Sequence, residues 1–334
     1  LNAQRHPPDA VVLLLNNCTD NTETIARAMA PRLRFHLELL CGDLPPAQAN
    51  AGHARRLAMA RAAELAGNNG VLLTTDADAI APPDWLARNR HALHQHADIV
   101  CGRAVIDQKE AALIPAHLHE DDARECQLIA ALDMLAWMLD PEWHDPPPRH
   151  TEASGASLAV RADAFRKVGG IPDTRSGEDR AFVRALWMMD ARIRHDPTIE
   201  VTVSGRIEGR APEGMADAIR RRMIRQDEFT DEQVEPAQDA FRRYALRHRA
   251  RRMWPPLTRE AATQPDLADD LHISRTRLAA CLSHRFFGSA WAALEACSPV
   301  LQRRRVRFTD LPAEIAAADA LLRDINQPEI LAAD

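Results

Sequence analysis

Two pairs of acidic residues stand where carboxylate chemistry is possible. In LLTTDADAIAPPDW (72–85) an apolar run delivers Asp76 and Asp78, one residue apart, ahead of a Pro-Pro helix start. In SGEDRAFVRAL (176–186) a Ser-Gly turn precedes Glu178 and Asp179 at the head of a helix-period run. Residues i and i+2 share a face of an ideal strand, and just past its end two carboxylates can converge on one cation. A hard divalent ion such as Mg2+ or Mn2+ takes oxygen ligands, often one or two carboxylates completed by substrate phosphates. Each pair alone also has a plain structural reading: a solvated acidic turn for the first, and acidic residues favoured by the helix dipole for the second. A calcium loop of the EF-hand type is excluded, since its glycine and terminal glutamate positions hold Ala81 and Ala87.

The elements that must position these residues are legible in the hydrophobic pattern. AVVLLLN (10–16), RFHLELL (34–40), VLLTT (71–75), DIVCGRAV (98–105) and SGASLAVR (154–161) read as strands. Between them NTETIARAMA (21–30), AGHARRLAMARAAELAG (51–67) and PPDWLARNRHALHQH (82–96) read as helices, with Asp20 or Asn21 as a cap and Pro31 and Gly67 as stops. This rhythm predicts an α/β fold, a mostly parallel sheet flanked by helices, because parallel neighbours need crossover connections. Ligands of open α/β sheets gather beyond the carboxyl ends of strands, where Asp76 and Asp78 fall. Residues 110–139 read as one helix, 140–150 as a stiff proline-rich loop, 178–190 as a helix, and ARIRHD and TIEVTVS (198–204) as two closing strands. Past Glu213 the strand pattern ends and arginine-rich helices run to the end, so the expected domains are 1–212 and an all-helical 213–334.

Composition narrows the class. With 46% hydrophobic and 27% charged residues the 334-residue chain has the makings of a real core, and no apolar run approaches the roughly 18–20 residues of a membrane span. Six scattered cysteines without a CxxC pair fit a reducing cytoplasm. The formal net charge of -6 argues against a chain that blankets nucleic acid. Arginine clusters at 242–252 and 303–307 offer peripheral contact to acidic lipids or a polymeric acceptor, although solvated helix faces are the commoner use of such runs.

Taken together and in order, the motifs resemble family-2 glycosyltransferases of the GT-A fold, over about residues 1–212. VVLLLNNCTDNT (11–22) is similar to the family's second strand and turn, ANAGHARRLAMARA (49–62) to the helix start bordering the nucleotide pocket, and TTDADAIAPPDWL to its DxD motif. ASGASLAVRADAFRKVGGIP (153–172) resembles the acceptor side, and SGEDRAFVRAL the catalytic acidic motif. The family's first strand and most of its first helix have no counterpart, so the chain as given is expected to start late.

The resemblance implies a metal-dependent, inverting hexosyltransferase that moves a sugar from a nucleotide-diphosphate donor, a UDP- or GDP-sugar, to a hydroxyl of a saccharide, lipid or small-molecule acceptor. It implies donor contacts from Asn16, Asp20, Gly52, Arg55, Asp76, Asp78 and Arg206, with Arg210 as a further basic candidate. Asp78 would hold Mn2+ or Mg2+, Asp179 would be the base with Glu178 beside it, and Ser154, Gly155 and His150 would face the acceptor.

Two alternatives stand beside it. One is a nucleotidyltransferase of related fold, whose glycine-rich loop has no counterpart here. The other is a non-catalytic nucleotide-binding relative in which 266–291, DLADDLHISRTRLAACLSHRFFGSAW, serves as a DNA-binding helix-turn-helix. The near balance of basic and acidic residues after 213 argues against DNA. GxGxxG, GxxxxGK[ST] and Ser-His-Asp signatures are absent, which leaves dehydrogenase, P-loop and hydrolase readings without local support.

Overall fold

The computed structural model describes residues 1–174, 176–206, 215–225, 227–254 and 266–326. Its elements in chain order are β1 (Ala10–Asn16), α1 (Thr22–Met29), β2 (His36–Gly42), α2 (Ala51–Ala66), β3 (Val71–Thr74), α3 (Trp85–His94), β4 (Ile99–Ile106), α4 (Gln108–Ala111) and α5 (Ala116–Leu139). Then follow β5 (Leu158–Arg161), α6 (Ala162–Lys167), α7 (Glu178–Trp187), β6 (Ile193–Val203) and α8 (Met215–Ile224). The helices α9 (Ala237–Met253), α10 (Leu267–Asp270), α11 (Arg275–Leu282), α12 (Phe287–Cys297) and α13 (Leu311–Asn326) complete the chain. It is an α/β protein with a helical C-terminal region.

Two compact units divide these elements. The first comprises Leu1–Leu113, Glu152–Trp187 and Ala191–Arg220; the second comprises Ile114–Thr151, Met188–Asp190 and the described residues from Arg221 onward. Residues 114–151, read from the sequence with the α/β part, therefore fall with the helical one. The reason is the apolar stripe of α5: Leu128, Leu132 and Leu135 are buried in one cluster with Ala237 and Ala240 of α9 and Ile315 and Ala318 of α13. The helix expected over 110–139 is also two, because Pro115 cannot donate a helical N–H and stands as the cap of α5.

The first unit holds two sheets. β1 and β2 pair in parallel, and a four-stranded sheet runs β3-β5-β4-β6. β4 and β6 are parallel, but β5 is antiparallel to both β3 and β4, so the sheet is mixed where a mostly parallel one was expected. Cys101 of β4 faces Leu158 of β5, which shows that the chain re-enters at the end β4 leaves from and makes no crossover there. The two strands expected over 191–204 are one, β6.

Period-2 alternation sends the central strands into cores on both faces. Leu72, Ile99, Cys101, Leu158 and Val160 face one way, into a cluster with Met59 and Ala63 of α2, Phe165 of α6 and Phe182 and Leu186 of α7. Val100, Ala159 and Val201 face the other way, against Trp85, Leu86 and Leu93 of α3. Trp85 adds a directional tie, donating to the buried Ser157 Oγ at 3.0 Å. With helices on both faces, the loops at the strand ends are held by rigid elements.

In the second unit the stretch 266–291 folds as the short helix α10, a turn across His272–Ser274 and the arginine-bearing α11, and a second break at 283–286 sets off α12. No described helix is long and apolar enough to cross a membrane.

Candidate active site

The site is built at the end of β3. Thr74, its last residue, donates through Oγ1 to the Gly155 carbonyl at 3.1 Å, which ties this end to the turn ahead of β5. Asp76 follows, and its carbonyl accepts from Ala79 N–H at 3.1 Å, closing a turn that turns the chain away from the sheet. Ile80 then exchanges two backbone bonds with Thr202 of β6, at 2.8 and 3.0 Å. That small antiparallel bridge carries the loop to the end of β6, where Arg206 lies 2.9 Å from Asp78.

The first turn of α2 closes the site from another side. Asn50 caps this helix, its side chain accepting from His53 N–H at 2.8 Å. Arg55, one turn further, has only 15% of its side chain exposed and sits between two carboxylates. Its guanidinium donates to Asp76 at 2.5 Å and to Glu178 of α7. Glu178 is buried, so its charge is held by this partner. Outside the pair, Arg56 reaches Asp173 at 3.1 Å and His53 faces the same carboxylate at 3.5 Å.

Two glycines make these approaches possible. A Cβ on Gly52 would stand 2.9 Å from the Thr174 carbonyl and 3.0 Å from Glu178. A Cβ on Gly155 would collide with the Arg55 guanidinium. The Gly155 N–H donates to Asp179 Oδ2 at 2.8 Å, and the Arg180 N–H to Asp179 Oδ1 at 2.8 Å. Asp179 is thus oriented through both oxygens while remaining only half-buried.

The sequence-derived candidates fall into three groups. Gly52, Arg55, Asp76, Gly155, Glu178 and Asp179 come together: Arg55 bonds Asp76 and Glu178, Gly155 bonds Asp179, and the two glycines pack against Glu178 and Arg55, with Asp78 and Arg206 paired on the loop beside Asp76. Asn16, Asp20 and Ser154 have local settings. Asn16 ends β1 with its Oδ1 buried and without a hydrogen bond among the described residues; Asp20 accepts from Thr22 N–H at 3.0 Å; Ser154 Oγ accepts from Ala156 N–H at 3.3 Å. His150 belongs to the second unit, and Arg210 lies outside the described residues.

Sequence reasoning passed over Thr75 and Thr174, whose Oγ1 atoms are also buried without a hydrogen-bond partner among the described residues. Buried polar atoms are nearly always bonded, so these hydroxyls and Asn16 Oδ1 are suited to a bound polar ligand. Thr75 stands beside Asp76 and was in plain view, but a threonine at a strand end reads as strand. Nothing in the sequence marked Thr174.

No family model matches the chain, and no curated protein matches it. Among solved structures it is similar to the Pyrobaculum calidifontis mannosyltransferase PcManGT in complex with GDP-Man and Mn2+, at 18% identity and a TM-score of 0.41, over 96% of this chain and 72% of that one. It is also similar to S. aureus TarS 1-349 in complex with UDP, at 12% identity and a TM-score of 0.43, over 97% of this chain and 85% of that one. Likeness at these levels is too distant to assign chemistry, which rests on the residues of the site.

Proposed function

We propose that the first unit is a GT-A-type glycosyltransferase that moves a hexose from a nucleotide-diphosphate donor to an acceptor hydroxyl with inversion at the sugar carbon. The observation that carries this reading is the junction made by Arg55, which bonds the Asp76 of one acidic motif to the Glu178 of the other across about a hundred residues of sequence. Neither a solvated acidic turn nor simple helix capping calls for that junction.

In this reading Asp179 is the base. The acceptor oxygen forms a bond to the sugar C1 as the bond from C1 to the diphosphate oxygen breaks, and the hydroxyl proton passes to an Asp179 oxygen. Gly155 and Arg180 N–H groups hold that carboxylate in place, and a positioned base typically contributes on the order of 10² to 10⁴ in rate. A single base suits a direct displacement. Asp76 faces the ribose side of the donor, with Asn16, Thr75 and Gly52 lining the nucleotide, while Arg55 positions Asp76 and Glu178.

For a divalent cation, no group of three His, Cys, Asp or Glu among the described residues forms a ready-made cage. Asp78 offers one exposed carboxylate on the loop after β3, a donor set that fits a hard cation completed by donor phosphates and water. Mn2+ or Mg2+ bound there would act as a Lewis acid that neutralises charge on the leaving diphosphate. Arg206, already beside Asp78, is placed to share that neutralisation.

Thermal unfolding with UDP, GDP, CDP and dTDP, each with Mn2+, Mg2+ or EDTA, tests the donor site. A ligand at 100 times its Kd stabilises by about 2.7 kcal/mol, a visible shift. A metal-dependent shift with one nucleotide, lost in Asp78→Ala, is expected; no shift with any of them removes the transferase reading.

A further inference from the structure

We propose that Cys281 and Cys297 are a dithiol site that closes to an intramolecular disulfide when a small-molecule disulfide such as glutathione disulfide is present. The inference concerns the second unit alone and is independent of the proposed transfer. The two Sγ atoms lie 3.7 Å apart, Cys281 on the last turn of α11 and Cys297 at the end of α12. A disulfide needs about 2.05 Å, so an approach of under about 2 Å completes it, a distance that side-chain torsions can supply.

The helices on which the thiols sit are fixed at their other contacts. Ser274 caps α11 by accepting from Arg277 N–H at 3.1 Å. The first turn of α12 donates two N–H groups, from Phe287 and Gly288, to Asp190, each at 2.7 Å. Ser298, next to Cys297 and fully buried, donates to the Leu271 carbonyl at 2.7 Å. The thiols are therefore presented to each other by braced helix ends.

The two cysteines differ in access. Cys281 is buried, and Cys297 is partly exposed. Burial, and then the neighbouring Cys297 sulfur, push the Cys281 thiol up to about 11, so it is protonated at rest. Entry is consequently at Cys297. Its thiolate attacks the disulfide, forming a mixed disulfide and releasing one glutathione thiolate. The Cys281 thiolate then attacks the Cys297 sulfur, the protein disulfide forms, and the second glutathione thiolate leaves. Two protein thiols are oxidised by two electrons, the small disulfide is reduced to two thiols, and the two protons pass to the released thiolates. The proximity of the second thiol makes the mixed disulfide short-lived.

The test uses the full chain carrying Cys18→Ser, Cys41→Ser and Cys126→Ser, which removes the exposed thiols and keeps Cys101, Cys281 and Cys297. After incubation with glutathione disulfide, intact mass should fall by two hydrogens, digestion should yield a peptide pair joined through 281 and 297, and dithiothreitol should restore the starting mass. Closing a loop of this length should raise the unfolding temperature by on the order of 5 °C. Cys281→Ala should instead trap a glutathione adduct on Cys297. The same peptide mapping on the unsubstituted chain covers the case in which the triple variant folds poorly. A stable glutathione adduct on Cys297 while Cys281 is intact, or both thiols still alkylated by iodoacetamide after denaturation, overturns the proposal.

Discussion

The Arg206 guanidinium stands 2.9 Å from the Asp78 carboxylate, and both side chains are about half exposed. An arginine at this place is a competitor for any cation that Asp78 would hold. Exposed ion pairs are worth about 0–1 kcal/mol, so the competition is mild and reversible. Arg206→Ala should therefore bind Mn2+ alone up to about fivefold more tightly. The same change should weaken the Mn2+-nucleotide complex, because the guanidinium freed from Asp78 is the one expected to meet the diphosphate. Titration calorimetry with Mn2+, then with Mn2+ and the preferred nucleoside diphosphate, separates the two effects. Weakened binding in both titrations would mean that Arg206 supports the loop rather than competing for it.

The turn at Gly155 and the Arg55 side chain occupy adjoining space, and their costs should not add. Gly155→Ala puts a methyl against the guanidinium, an overpacking that costs about 1–3 kcal/mol. Arg55→Ala leaves the buried Glu178 without its charge partner, which costs on the order of 3–5 kcal/mol. In the double variant the methyl meets no guanidinium, so its stability should match Arg55→Ala alone. Urea unfolding of the four proteins gives the cycle directly. Simple additivity would show that the two residues do not share this space in solution.

Much of this site was readable because it depends on local pattern. The apolar run 71–75 was legible as a strand, and its end marked where Asp76 and Asp78 leave the sheet; the structure ends β3 one residue earlier, at Thr74. What the pattern could not supply was partnership. Arg55 and Glu178 are 123 residues apart, and nothing local distinguishes an arginine that braces a buried glutamate from one that awaits a phosphate. Residues 154–156 read as the start of a strand because small residues tolerate one. They form a turn instead, with Ser157 N–H donating to the Ser154 carbonyl at 3.0 Å, since Gly155 must admit the guanidinium. The sense of β5 was illegible for a related reason: it depends on where the chain returns after residues 107–157, which no period encodes.

In the second unit Glu142 should set part of the acid limit of stability. Burial pushes its carboxyl up, but Arg247 at 2.5 Å and Arg251 at 3.3 Å outweigh that and hold it at about 2, from an ordinary 4.5. The depressed value means that Glu142 stabilises the fold fully above about 4.5 and loses that contribution as pH falls towards 2. Glu142→Gln should be less stable at neutral pH and show a shallower loss between those limits. Fluorescence follows the transition through Trp137 and Trp143, packed edge to face at 5.3 Å on either side of Glu142 in sequence. A variant with the parent's slope would place the acid limit elsewhere.

Asp179 offers the sharpest separation of chemistry from architecture, because both of its oxygens already accept a backbone N–H, from Gly155 and from Arg180. An asparagine keeps one acceptor oxygen and replaces the other with a donor, so one of those N–H groups loses its partner. The structural cost is about 1 kcal/mol, visible as a small fall in unfolding temperature. If Asp179 is the base, Asp179→Asn should also lower turnover by on the order of 10² to 10⁴ while the nucleotide-induced thermal shift keeps its midpoint concentration. A clamp without a chemical role predicts another pattern: the same small loss of stability, with turnover per folded molecule close to the parent's. Measuring both quantities on one preparation decides between them, since only proton transfer couples an unchanged donor site to a collapsed rate.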